Sequence, residues 1–203
     1  VAFGSFFAHL LRTSGVIGDD IGIPVDKILA AIAIIIFIFV NVRGSSDTGK
    51  VGNAITFTQL AIIGILIAAA IGAMMFANPN WSDNYTDFLP SGVAGLALAM
   101  GLTFIAFEGY EIISQAGDEI KNPKRNIPRA ILISLGIVIS IYVLFTFVFI
   151  GGLNESVIGM PAWEFIGSFG ELGIIEAADQ FLPYGALIVL AGGLVSTLSA
   201  LNA

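Results

Sequence analysis

Charge is what this sequence has least of. Only 11% of its 203 residues are Asp, Glu, Lys or Arg, while 57% are hydrophobic. A soluble domain covers its surface with about 25% charged residues, so the shortage excludes an ordinary water-soluble fold and turns much of the surface toward lipid. A mean hydropathy of +0.95 points the same way. Cysteine is missing altogether, which excludes a disulfide framework and a thiolate metal site and leaves the redox compartment open. Basic residues are also scarce: 8 Lys and Arg stand against 15 Asp and Glu, for a net charge of −7. Nucleic acid needs a basic face for its phosphates and is therefore excluded as a partner. Strict apolar and polar alternation, the mark of a membrane β-barrel strand, is absent too, and the apolar runs are too long for such strands. The class left standing is an all-α membrane protein in contact with the lipid bilayer.

Crossing the hydrocarbon core takes about 20 mainly apolar residues at 1.5 Å per residue. Residues 24–42, 53–77, 91–116, 130–152 and 185–203 qualify, the last as a partial span, and residues 1–11 read as the tail of another. None carries the polar stripe of a helix in a soluble bundle. The first residues are already apolar with no charged segment ahead of them, and the final run is apolar to its end. The expectation is one transmembrane domain over residues 1–203, forming an interior piece of a longer, multi-pass protein.

Lysine and arginine accumulate in short cytoplasmic loops. Arg43 and Lys50 share one loop, and Lys121, Lys124, Arg125 and Arg129 share another, two spans further on. The alternate loops, residues 78–90 and 153–183, hold no Lys or Arg but contain Asp83, Asp87, Glu155, Glu164, Glu171, Glu176 and Asp179. Those loops are expected outside, as is the loop of residues 12–27, where Arg12 and Lys27 stand against Asp19, Asp20 and Asp26. Three Asn-x-Ser/Thr sequons, at Asn80, Asn84 and Asn154, fall in the outer loops. In the longer outer loop Trp163, Phe165, Ile166, Phe169, Leu172, Ile174 and Ile175 alternate with acids, a pattern for short amphipathic helices on the outer face. They would form either a lid over an entrance or a loop packed on neighbouring helices.

The stretch Gly44-Ser45-Ser46-Asp47-Thr48-Gly49-Lys50 matches seven positions of a phosphate-binding loop, but the eighth is Val51. No hydroxyl is there for Mg²⁺, and the stretch joins two membrane spans instead of a strand and a helix. It reads as a cytoplasmic loop, and no cofactor, metal or catalytic residue is expected. More informative is Gly101-Leu-Thr-Phe-Ile-Ala-Phe107-Glu108-Gly109-Tyr110-Glu111, where two carboxylates interrupt an apolar span. A charged side chain at mid-bilayer costs about 2.5–3.5 kcal/mol. Partners in a water-filled cavity, or a bound proton, must compensate both acids. Gly109 between them gives the chain freedom to break the helix, and a break deep in the membrane is tolerated only where the freed backbone groups line a cavity or bind a ligand. The plainer alternative is that both acids lie at the cytoplasmic interface and simply end the span.

Directly after this span comes Asp118-Glu119-Ile120-Lys121-Asn122-Pro123-Lys124-Arg125-Asn126-Ile127-Pro128-Arg129. Taken with Phe107, Gly109 and Glu111, this resembles the sixth span and following cytoplasmic signature of the amino acid-polyamine-organocation superfamily. Asn41-Val42-Arg43-Gly44 is similar to that family's fourth-to-fifth span junction, and Ser196-Thr197-Leu198-Ser199-Ala200-Leu201-Asn202-Ala203 to its eighth span. The resemblance covers nearly the whole chain. It implies a LeuT-like five-plus-five inverted-repeat transporter fold, of which this chain holds the end of span three through much of span eight.

The same resemblance implies secondary active transport of an amino acid or related amine by alternating access, in the plasma membrane, coupled to H⁺ or Na⁺ or running as exchange. It implies Phe107, Glu108 and Gly109 as the unwound, substrate-binding segment and Glu111 as a gate or proton-linked group. Ser196, Thr197 and Ser199 become a candidate cation site, although hydroxyls in membrane helices more often bond to their own backbone. One departure stands out: where many members place a lysine in span five, Thr56-Phe57-Thr58-Gln59 has Gln59, which argues against a lysine-based proton mechanism. Two other classes compete. An ion channel would need a continuous polar pore rather than one short polar break, and an intramembrane hydrolase using Glu108 and Glu111 would need a second residue set from another helix. His9, Trp81 and Trp163 read as interfacial residues.

Overall fold

A computed structural model of the chain describes residues 2–18, 24–43, 48–106, 109 and 120–202. These residues form helices joined by turns, with no strand among them, as the all-α expectation requires. The helices are α1 (Ala2–Thr13), α2 (Val25–Arg43), α3 (Thr48–Phe76), α4 (Gly92–Ala106), α5 (Pro123–Gly152), α6 (Glu155–Ile158), α7 (Ala162–Ser168), α8 (Gly173–Phe181) and α9 (Gly185–Asn202), with 3₁₀ turns at Trp81–Tyr85 and Gly170–Leu172. The chain divides into two compact units, Val1–Trp81 with Val148–Ala203, and Ser82–Phe147.

The first unit is held together by small residues. In lipid no hydrophobic force draws helices together, so close approach through Gly and Ala supplies the packing. Gly4 of α1 lies so near the backbone of α2 that a Cβ there would collide with the carbonyl of Asp26. Ala8, Ala30 and Ala33 are buried. Helix α9 fits against both α3 and α1 through consecutive glycines: a Cβ on Gly192 would stand 3.1 Å from Ile62, and one on Gly193 2.7 Å from the ring of Phe6. Helix α8 packs on α9 and α3, with Ile175, Ala177 and Ala178 almost wholly buried. Phe181 at its end meets Phe149 of α5 edge-to-face at 5.1 Å. The amphipathic segment of the outer loop is thus the short helices α6–α8, and they pack on neighbouring helices.

Two asparagines join the ends of α3 and α5. The last four carbonyls of a helix have no partner within it. Asn78, only 3% exposed, donates both protons of its Nδ2 across to α5, to the carbonyl of Gly151 at 3.0 Å and that of Leu153 at 2.9 Å. Asn154 answers from the other side: its Nδ2 donates to the carbonyl of Ala77 at 3.1 Å, while its Oδ1 accepts from the Ser156 backbone N–H and caps α6. Below this junction Gly152 lies against Ala70, so close that a Cβ on the glycine would stand 3.2 Å from the Ala70 carbonyl oxygen. Glu155 then accepts from the Ala162 N–H at 2.8 Å and closes the turn between α6 and α7.

In the second unit, the ring of Tyr85 stacks on Phe147 at 4.9 Å and its hydroxyl donates to the Phe147 carbonyl. Leu98, Met100, Leu102 and Phe104 of α4 are exposed, as are Leu132, Ile133 and Val143 of α5. Water would not tolerate so much continuous apolar surface. Segments Ala54–Phe76 and Pro123–Gly152 are long and apolar enough to cross a membrane and bury little of themselves within the chain, so hydrocarbon is the natural solvent for these faces. Helix α5 begins at Pro123, seven residues ahead of the expected 130, and Pro128 falls inside it. Pro123 sits where a helix start needs no N–H.

Candidate functional site

Helix α4, Gly92–Ala106, leads toward the predicted break. The expected span of residues 91–116 does not continue as helix through Gly109, which stands in a turn at φ +102°. Only glycine reaches that region without strain. A Cβ on Gly109 would meet open space, so the backbone conformation, and not a crowded neighbour, calls for glycine. Phe107, Glu108 and Glu111 lie outside the described residues, together with Tyr110 and residues 112–119.

The chain is described again from Ile120, and there the signature becomes a helix start. Asn122 adopts φ +52° and its carbonyl accepts from the N–H groups of Arg125 and Asn126, both at 3.0 Å. The Asn126 side chain donates back to the Lys121 carbonyl. Lys121, Lys124, Arg125 and Arg129 are all exposed around this first turn, as residues anchoring a helix at the membrane surface should be.

Of the eighth-span hydroxyls, Ser196 is exposed, and Thr197 donates to the carbonyls of Gly193 at 2.9 Å and Leu194 at 3.0 Å. The Ser199 side chain lies outside the described ones. Donation to the backbone leaves the threonine oxygen with lone pairs that a cation can use. Thr58, Thr103 and Ser140 likewise donate to carbonyls four residues back. These hydroxyls donate within their own helices, the common use of Ser and Thr in membrane helices. Gly109 and the α9 hydroxyls belong to separate units. Gln59 and His9 are half-buried. Among the described residues no three His, Cys, Asp or Glu side chains gather as a metal would need.

The sequons separate on structure. Asn84 is buried and Asn154 commits the nitrogen that a glycan would need to a backbone carbonyl, so of the three only Asn80 presents an exposed side chain. Sequence reasoning named Asn154 only as a sequon and passed over Asn78, since an asparagine just beyond an apolar run carries no sign of which distant carbonyl it will meet.

The family model described as amino acid permease matches residues 1–203. An uncharacterized protein of Methanocaldococcus jannaschii is 34% identical over 169 residues, covering 82% of this chain and 36% of its own length. A methylthioribose transporter of Bacillus subtilis is 30% identical over 152 residues, 72% of this chain and 32% of its own. The human cationic amino acid transporter 4 is 34% identical over 89 residues, 44% of this chain and 14% of its own. The chain spans about a third of the length of the first two curated relatives it matches.

Proposed function

The chain belongs to the amino acid permease family, and from that premise we propose that the protein carries an amino acid or a related amine across the plasma membrane by secondary active transport. The family consists of permeases, integral to the membrane, and not of enzymes, so the intramembrane hydrolase is set aside. Its fold is the LeuT-like inverted repeat. Transport proceeds by alternating access around a break in the span that contains α4.

The observation that supports this reading is Gly109, which follows α4 in a turn at φ +102°. Where a membrane span is broken, non-helical backbone N–H and C=O groups are tolerated in hydrocarbon only against other protein, a cavity or a ligand. An ammonium and a carboxylate are what such groups bind: carbonyls and a glutamate take the cation, N–H groups the anion. Phe107, Glu108 and Gly109 form the substrate-facing segment. Glu111, two residues beyond Gly109, takes up and releases the coupling proton, and Ser196, Thr197 and Ser199 hold a cation where Na⁺ is the coupling ion. The relatives' printed substrates, cationic amino acids and methylthioribose, set the range to be tried.

The test uses the full-length protein in proteoliposomes, with radiolabelled amino acids, polyamines and methylthioribose in competition and with imposed H⁺ or Na⁺ gradients. We expect saturable uptake of an amino acid or amine. Glu108→Gln should weaken apparent affinity at least tenfold, and Glu111→Gln should flatten the dependence of initial rate on pH with binding preserved. Absence of uptake of every compound would overturn the transport reading, and an unchanged pH profile at normal rates would remove Glu111 from its role.

A further inference from the structure

We propose that Asn78 and Asn154 form a clasp that fixes the outer ends of α3 and α5, with α6 behind them, as one rigid body that stays closed through the conformational cycle. The inference rests on the transport reading only for the word cycle; the clasp itself is a property of the described residues. Three hydrogen bonds cross between the two helix ends, and they run in both directions: Asn78 Nδ2 to Gly151 and Leu153, Asn154 Nδ2 to Ala77. Each acceptor is a carbonyl at or just beyond a helix C-terminus, where the helix's own i→i−4 pattern supplies no donor.

The environment makes the clasp hard to open. Asn78 is 3% exposed, Leu153 and Ala70 are fully buried, and Phe149 is 2% exposed against Phe181. Water cannot replace the asparagine amide there without the junction coming apart, and a buried carbonyl stripped of its donor is far costlier than an exposed one. The approach of Gly152 to Ala70 depends on the same fit. Asn154 does a second job in capping α6, so the same side chain that closes the clasp sets where the outer loop starts. Motion of α3 at this end therefore drags the α6 segment with it, and the hinge of any rearrangement lies elsewhere.

The experiment places spin labels at two exposed positions flanking the junction, Asn80→Cys and Val157→Cys, in full-length protein with cysteines outside this stretch replaced by serine. Interspin distances are measured by double electron–electron resonance. We expect one narrow distribution, unshifted by an equimolar mixture of the twenty amino acids, and at least a doubling of its width in Asn78→Asp, which cannot donate. Asn154→Asp is the milder arm: it keeps an acceptor for the Ser156 N–H, loses the donor to Ala77, and should broaden the distribution less. A distribution equally narrow in both variants overturns the clasp, as does wild-type behaviour of Asn154→Asp where Asn78→Asp fails to fold. A shift on adding the amino acids shows the junction opening and overturns its rigidity. Uptake is measured on the same samples: its absence counts against the transport reading, while the width comparison still decides the clasp.

Discussion

At the scale of single residues, a few side chains decide where helices begin and end. Asn122 stands at φ +52° immediately before Pro123. The left-handed region costs an L-residue about 1–2 kcal/mol, and Asn bears it better than most because its short polar chain bonds locally. That conformation directs the Asn122 carbonyl onto the N–H groups of Arg125 and Asn126 and so starts α5. Asn122→Gly should leave the thermal midpoint of the purified protein within error of wild type, while Asn122→Val, β-branched and intolerant of positive φ, should cost about 1–2 kcal/mol. Equal midpoints for both variants would mean that the backbone there relaxes and the asparagine has another task.

Between elements, the governing quantity is how closely two backbones approach. Helix α9 reaches both α1 and α3 because Gly192 and Gly193 present no side chain to Ile62 and Phe6. Gly193→Leu should overpack this contact by about 1–3 kcal/mol, and Phe6→Ala in the same protein should recover most of the loss, since the atoms that collide belong to the Phe6 ring. Thermal unfolding of the two single variants and the double variant measures the coupling; strict additivity would place Phe6 and Gly193 out of contact. Much at this scale was legible in the sequence. Apolar length located α2, α3 and α5, because the bilayer imposes it. Helix starts were less legible: hydropathy marks the embedded part, whereas α5 keeps its hydrogen bonding through the exposed Lys124, Arg125 and Arg129 out to Pro123. The packing of α8 was not legible, since Ala177 and Ala178 are buried by what α9 and α3 bring to them, and a one-dimensional pattern does not specify those partners. Of the candidate substrate segment only Gly109 is described: the sequence announced a break there, and Gly109 stands in a turn at φ +102°, while Phe107, Glu108 and Glu111 fall outside the described residues.

For the whole molecule, two independent arguments lead to a prediction of sidedness. The clasp between residues 77–78 and residues 151–154 puts the C-terminal ends of α3 and α5 on one face of the membrane. Charge then says which face: the loops that leave these ends, residues 78–90 and 153–183, contain no Lys or Arg, while the turn at the start of α5 exposes four, and retention of Lys and Arg in short cytoplasmic loops is the strongest determinant of orientation. Geometry alone would be satisfied by either orientation, and charge alone would not require the C-terminal ends of α3 and α5 to lie together. Single cysteines introduced into a cysteine-free full-length background read the result directly. An impermeant maleimide added to intact cells should label Asp83→Cys and Glu171→Cys, both exposed, and should reach Lys121→Cys and Lys124→Cys only after the membrane is permeabilised. Labelling of all four from outside would break the charge argument, and labelling of one acidic loop without the other would place the ends of α3 and α5 on opposite faces, which the asparagine bonds between them do not allow.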